Sequence, residues 1–167
     1  MALPRPARRL VLTAHIVTSV GWLGAVAGYV ALDLTAATTG NPDTARTAHV
    51  AMDIVLSRAI VPLAIASVAV GIINALGTSW GLFRHYWVVV KLAATVVATA
   101  VLLAEAPAVS DTAARAAAGA PPDALSGSLA HSIGGLAVLV AVTAISVFKP
   151  RGETPYGWRR RRQRPAG

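Results

Sequence analysis

The chain has 167 residues, of which 55% are hydrophobic and only 13% charged, against roughly 25% charged in an ordinary soluble domain. Its mean hydropathy of +0.61 leaves too little polar side chain to cover a water-facing surface, so the composition reads as an integral membrane protein. The formal charge is +8, and the absence of cysteine excludes disulfides, thiolate metal sites, iron–sulfur clusters and cysteine nucleophiles. With Met52 the only methionine besides Met1, a thioether-rich copper(I) site is not expected either.

Residues 1–9 form a basic N-terminus with Arg5, Arg8 and Arg9, and four apolar spans follow at about 10–34, 47–77, 86–104 and 129–148. A helix needs about 20 apolar residues to cross a bilayer core of roughly 30 Å. Period-two alternation is missing and the runs exceed barrel strands, so helices are the structure that satisfies the backbone in lipid. The expected fold is all-α, an integral membrane four-helix bundle. The first span also has features of a secretory signal, with Ala25-Val26-Ala27 resembling a cleavage site. Its apolar run continues to Leu34, and it is read as an uncleaved span.

Between the first two spans, Thr38-Thr39-Gly40-Asn41-Pro42-Asp43 is a turn cluster in which Asn41 or Asp43 caps the next helix. Arg58 precedes Pro62 by one turn, so a bend is expected where the proline ring meets the Arg58 carbonyl. The second outer loop, 107–128, is rich in Ala, Pro, Gly and Ser and reads as mobile, with a short helix at 110–118. Trp80, Tyr86, Trp87 and Trp158 fall near span boundaries, where aromatic rings favour the headgroup zone. Small residues at four-residue spacing (Gly24 and Gly28; Ser67, Gly71 and Ala75; Ala94 and Ala98; Ala130 and Gly134) suit close helix packing or a homodimer face.

Lys and Arg placement sets the expected orientation. Arg5, Arg8, Arg9, Arg84, Lys149, Arg151, Arg159, Arg160, Arg161, Arg162 and Arg164 put 11 cations on one side, against Arg46 and Arg115 on the other. Both termini are therefore expected in the cytoplasm, with residues 149–167 as a basic tail. Beside anionic lipids each arginine of that tail contributes about 1 kcal/mol of attraction. The tail is too short for a nucleic-acid domain, and no nucleic-acid partner is expected.

Ionisable residues inside the membrane are costly and carry the functional expectation. His15 and Lys91 both lie about 10 Å in from the cytoplasmic edge, with Trp22 on the His15 face and Trp87 one turn before Lys91. This inner set suits a ligand to haem iron or another metal; lysine snorkelling and a packed histidine are the plain alternatives. At the outer level, Arg46, His49, Asp53 and Ser57 form a polar stripe on the start of span two, and His131 opens span four. His49, Asp53 and His131 suit Zn²⁺ or Cu²⁺ binding or proton relay. Asp33 and Glu105, at the ends of spans one and three, are expected to face water or pair with Arg46 and Arg58.

His15-x6-Trp22-x-Gly24, Arg58-x3-Pro62-x8-Gly71 and Trp87-x3-Lys91 together resemble a superfamily of small bacterial membrane proteins. It includes the membrane domain of copper-resistance protein D, the J-type protoporphyrinogen oxidases and integral membrane proteins of unknown function. The resemblance covers residues 8–148 and implies a multi-pass bundle of the bacterial inner membrane that holds haem b. The roles it carries over are a haem ligand at His15 and a functional lysine at Lys91, with Trp22 and Trp87 beside them. The chain departs from the oxidases just past the first span, with Asp33 and a neutral turn where an arginine and a histidine would stand, so the unknown-function branch is the closer likeness. Three functional readings remain open: haem binding at His15, metal or proton handling at His49, Asp53 and His131, or an accessory subunit acting through a membrane-complex partner.

Overall fold

A computed structural model describes residues 4–77, 82, 83, 85–125, 127–148, 152 and 154–162, the last three without side chains. The described residues are 88% helical, with no strand. Trp80, Arg84, Lys149, Arg151 and Arg164, used above for boundaries and orientation, lie outside them.

Helix α1 spans Arg5–Thr38 and begins with Pro6 in the first turn, where a missing N–H costs nothing. Helix α2, Pro42–Val55, is capped by Asn41, whose Oδ1 accepts from the Asp43 and Thr44 amides at 2.9 and 3.3 Å. Asn41→Ala is expected to lower stability by about 1 kcal/mol, read from thermal unfolding in a mild detergent; an unchanged melting curve would remove the cap from this account. α2 passes through a π-helical turn, Leu56–Ile60, into α3, Val61–Leu76. The bend expected at Pro62 takes this form: the wider turn, with the Val61 amide bonded to the Leu56 carbonyl, accommodates the register that the proline ring disturbs.

Helix α4 covers Tyr86–Ala117 and runs straight through Pro107. The expected loop from 107 is thus helical for three further turns. Two features account for this: the alanine-rich stretch favours helix, and α2 supplies a partner. Ala45, Ala48 and Met52 on α2 and Thr112, Ala113 and Ala116 on α4 are all buried, and these two helices pack together. The turn that follows is tied down by Arg46 Nε on the Ala120 carbonyl at 2.9 Å and Arg115 on the Ala124 carbonyl at 2.7 Å. Helix α5 is Leu129–Phe148. The short α6, Pro155–Arg162, is capped by Thr154, which accepts the Gly157 amide and donates to the Phe83 carbonyl, joining the tail to the segment before α4.

Four helices, Arg5–Thr38, Pro42–Leu76, Tyr86–Ala117 and Leu129–Phe148, are long and apolar enough to cross a membrane. α1 packs on α2, α3 and α5, and α4 packs on the same three, so α1 and α4 stand diagonally. The core between them holds Trp22, Val26, Met52, Leu56, Ile60 and Leu139. Val17, Val20, Ile65, Val97 and Val140 face outward, as suits helices whose surroundings are as apolar as their core. At 20 residues α5 is about 30 Å long, one hydrocarbon thickness. α2 and the last turns of α4 extend beyond its first residue.

Candidate functional site

Trp22, Val26, Tyr29 and Asp33 recur at spacings of four, three and four, which places them on one face of α1, and all four are buried. Asp33 is 1% exposed. Its Oδ2 accepts hydrogen bonds from Ser132 Oγ at 2.8 Å and Ser128 Oγ at 2.9 Å, at the N-terminus of α5. That helix end favours negative charge. Tyr29 Oη lies 3.1 Å from Ser128 Oγ. The single Ser128 proton is already given to Asp33, so Tyr29 is the donor. The chain therefore points one way, Tyr29 to Ser128 to Asp33, with Ser132 joining from the other side.

Among the described residues no donor reaches Asp33 Oδ1 and no cation forms an ion pair with Asp33. This overturns the expectation that Asp33 faces water or pairs with arginine. Arg46 is held by Asp43 at 2.8 Å and by the Ala120 carbonyl, and Arg58 is exposed. The signal for burial was the spacing on α1: Asp33 continues the Trp22–Val26–Tyr29 stripe. The serines carried no signal of their own, since Ser128 and Ser132 come near Asp33 only when α5 packs on α1.

His49 is buried on α2 beside Ala45, Ala48 and Met52, so the predicted polar stripe is divided, with His49 on the packed face. Among the described residues neither ring nitrogen has a hydrogen-bond partner, and the Asp33 charge acts on it. Asp53 instead accepts from Ser110 of α4 at 2.6 Å. His131 Nε2 stands 3.9 Å from Glu105 Oε1, with side chains 58% and 45% exposed. His49, Asp53 and His131 thus share the outer level but have separate partners. Among the described residues no three His, Cys, Asp or Glu side chains form a metal-holding group.

At the inner level, Ser19 Oγ lies 2.8 Å from Ser67 Oγ and 3.5 Å from His15 Nδ1, which joins α1 to α3. A Cβ at Gly71 would stand 2.9 Å from His15 Cε1 and 3.4 and 3.6 Å from its two nitrogens. The nitrogen-bearing edge of the ring therefore faces the α3 backbone. Lys91 Nζ donates to Ser146 of α5 at 2.8 Å, and Trp87 lies against His85, with centroids 6.4 Å apart. This arrangement does not fit a haem between the helices, because the His15 edge that would meet iron is turned onto Gly71.

A cavity of about 450 Å³ occupies the space between α1, α4 and α5. Trp22 and Tyr29 line it, as do Ser128, Ser132, Glu105 and His131 at its outer end; His15, Lys91 and Trp87 do not. Val97, Val101, Gly134 and Val138 in its walls are themselves exposed, so it opens sideways between α4 and α5. Ala94, Ala98, Ala130 and Gly134, expected to bring helices together, line this opening instead. Gly24 and Gly28 likewise meet no neighbour within 4 Å, whereas Ser67 and Gly71 do mark a close approach.

By length and composition, the four helices are those of a multi-pass membrane protein. A buried polar pole beside an apolar cavity is its candidate site. Comparison with family models, curated proteins and solved structures gave no match.

Proposed function

We propose that this chain is a bacterial inner-membrane protein, with both termini cytoplasmic, that takes up and releases protons at an outer pole built on Asp33 and His49. Asp33 carries the reading: a carboxylate 1% exposed, with one oxygen unclaimed and no ion-pair partner among the described residues. Such a group inside a membrane bundle is costly, and groups of this kind mark proton relays and ion pathways. His49 supplies a second buried titratable side chain, of the type that changes charge near neutral pH. Ser128, Ser132 and Tyr29 extend the network from Asp33 to the cavity wall. The orientation is supported by the 11 cations assigned to one side against two on the other.

Infrared spectra recorded through a pH titration test the reading. The native protein is expected to show a carboxyl band that rises and falls reversibly with pH. Asp33→Asn should remove it, and His49→Gln should move its midpoint. Spectra of native protein and Asp33→Asn that superimpose at every pH would sink the proposal. A Soret band in purified protein that His15→Ala abolishes would instead favour the haem reading implied by the family resemblance.

A further inference from the structure

We propose that the cavity between α1, α4 and α5 binds a lipophilic ammonium ion, a single-tailed amphiphile with a hydrogen-donating cationic head. The inference stands on the cavity and its lining, and does not require that Asp33 exchange protons.

The space suits a small molecule: about 450 Å³ lies within the usual range of roughly 300–1,000 Å³ for ligand pockets. Along α4 its lining runs from Ala94 past Glu105, and those eleven residues alone span about 16 Å, enough to lay a chain parallel to the helices. Val26, Val97, Leu102, Val138 and Leu139 make the walls apolar. The lateral opening between α4 and α5 admits a tail from the lipid without its passing through water.

The outer end decides the head. The hydroxyl protons of Tyr29, Ser128 and Ser132 are committed to the chain that ends on Asp33, so toward the cavity these groups offer lone pairs. Glu105 adds a carboxylate, and no lysine or arginine lines the cavity. The charges of Asp33, Asp53 and Glu105, from three different helices, all reach the Tyr29 hydroxyl. His131, beside Glu105, is the one basic side chain in the lining. A head that accepts hydrogen bonds or carries negative charge meets acceptors and carboxylates here, whereas an ammonium meets complementary groups in a medium of low dielectric constant, where attraction is strong. The Trp22 and Tyr29 rings add faces that attract cations.

Equilibrium binding of radiolabelled decylammonium, decanol and decanoate to the full chain in nanodiscs, with empty nanodiscs subtracted, tests this. Decylammonium is expected to bind saturably at one site per chain, decanol at least tenfold more weakly, and decanoate not at all. Glu105→Gln should weaken decylammonium about tenfold. Gly134→Phe should abolish the site: a Cβ at Gly134 meets nothing within 4 Å, so the ring enters open space and the bundle is expected to keep its melting temperature. Val101→Trp closes the same space from α4 and serves as the second variant. Saturable decanoate binding equal to that of decylammonium, or decylammonium binding that survives both filling variants, would overturn the proposal. With no pH gradient present, these measurements read the cavity even if Asp33 proves not to titrate.

Discussion

Asp33→Ala is expected to destabilise the protein by about 3 kcal/mol, with Asp33→Asn losing no more than about half as much. Each hydrogen bond to a charged group is worth about 1.5–3 kcal/mol, and Ser128 and Ser132 each donate one to the same carboxylate oxygen. Alanine removes both acceptors, leaving two hydroxyls and the Tyr29 donor chain without an end point. Hydrogen bonds within membrane bundles measure toward the low end of such ranges, so the sum is taken near its lower bound. Asparagine keeps a carbonyl oxygen for the serines but removes the charge, which separates the structural role of the residue from any role in proton or cation chemistry. Thermal unfolding in detergent, followed by circular dichroism, reads the first quantity. If alanine and native protein melt together, Asp33 does not anchor α5 to α1.

Gly71→Leu is expected to cost about 1–3 kcal/mol, the usual range for overpacking, and Gly71→Ala less. A Cβ at this position already stands 2.9 Å from His15 Cε1, so any side chain pushes the imidazole or parts α1 from α3. Parting them also breaks the bond between Ser19 and Ser67. Adding His15→Ala to Gly71→Leu makes room and should restore most of the loss, a non-additivity characteristic of residues in contact. Equal stability of the single and double variants would show that the ring does not rest on Gly71. The pair also matters to the haem reading, since a ring released from Gly71 would have a free nitrogen edge.

Much of the architecture is legible along the chain. The apolar runs, their lengths and the Asn41-Pro42 cap are local properties, and each reappears as a helix or a helix end. The disturbance at Pro62 is equally local, although sequence specifies only that the helix must adjust, and the π turn is the adjustment made. Pro107 misled because a proline in an alanine-rich stretch reads as a breaker, while α2 offers a packing surface that keeps the helix whole. His15 and Lys91 were set apart correctly as an inner layer by counting residues from the basic ends. Counting also put His49, Asp53 and His131 at one outer level, but level along the bundle axis says nothing about angle around it, and the three turn to different partners.

Sequence by itself determined that the molecule is built of apolar helices, where they begin and bend, and which ionisable groups lie at which depth. Those follow from hydropathy, helical rise and capping, which act over a few residues. Only the tertiary structure decided that Asp33 is enclosed, that serines 95 and 99 residues away bind it, and that small side chains on α4 and α5 leave a cavity rather than a close contact. These depend on how the helices turn about their own axes when they pack. In a bundle whose outer surface is as apolar as its core, the pairing of a few polar groups, and not the exclusion of water, sets that rotation.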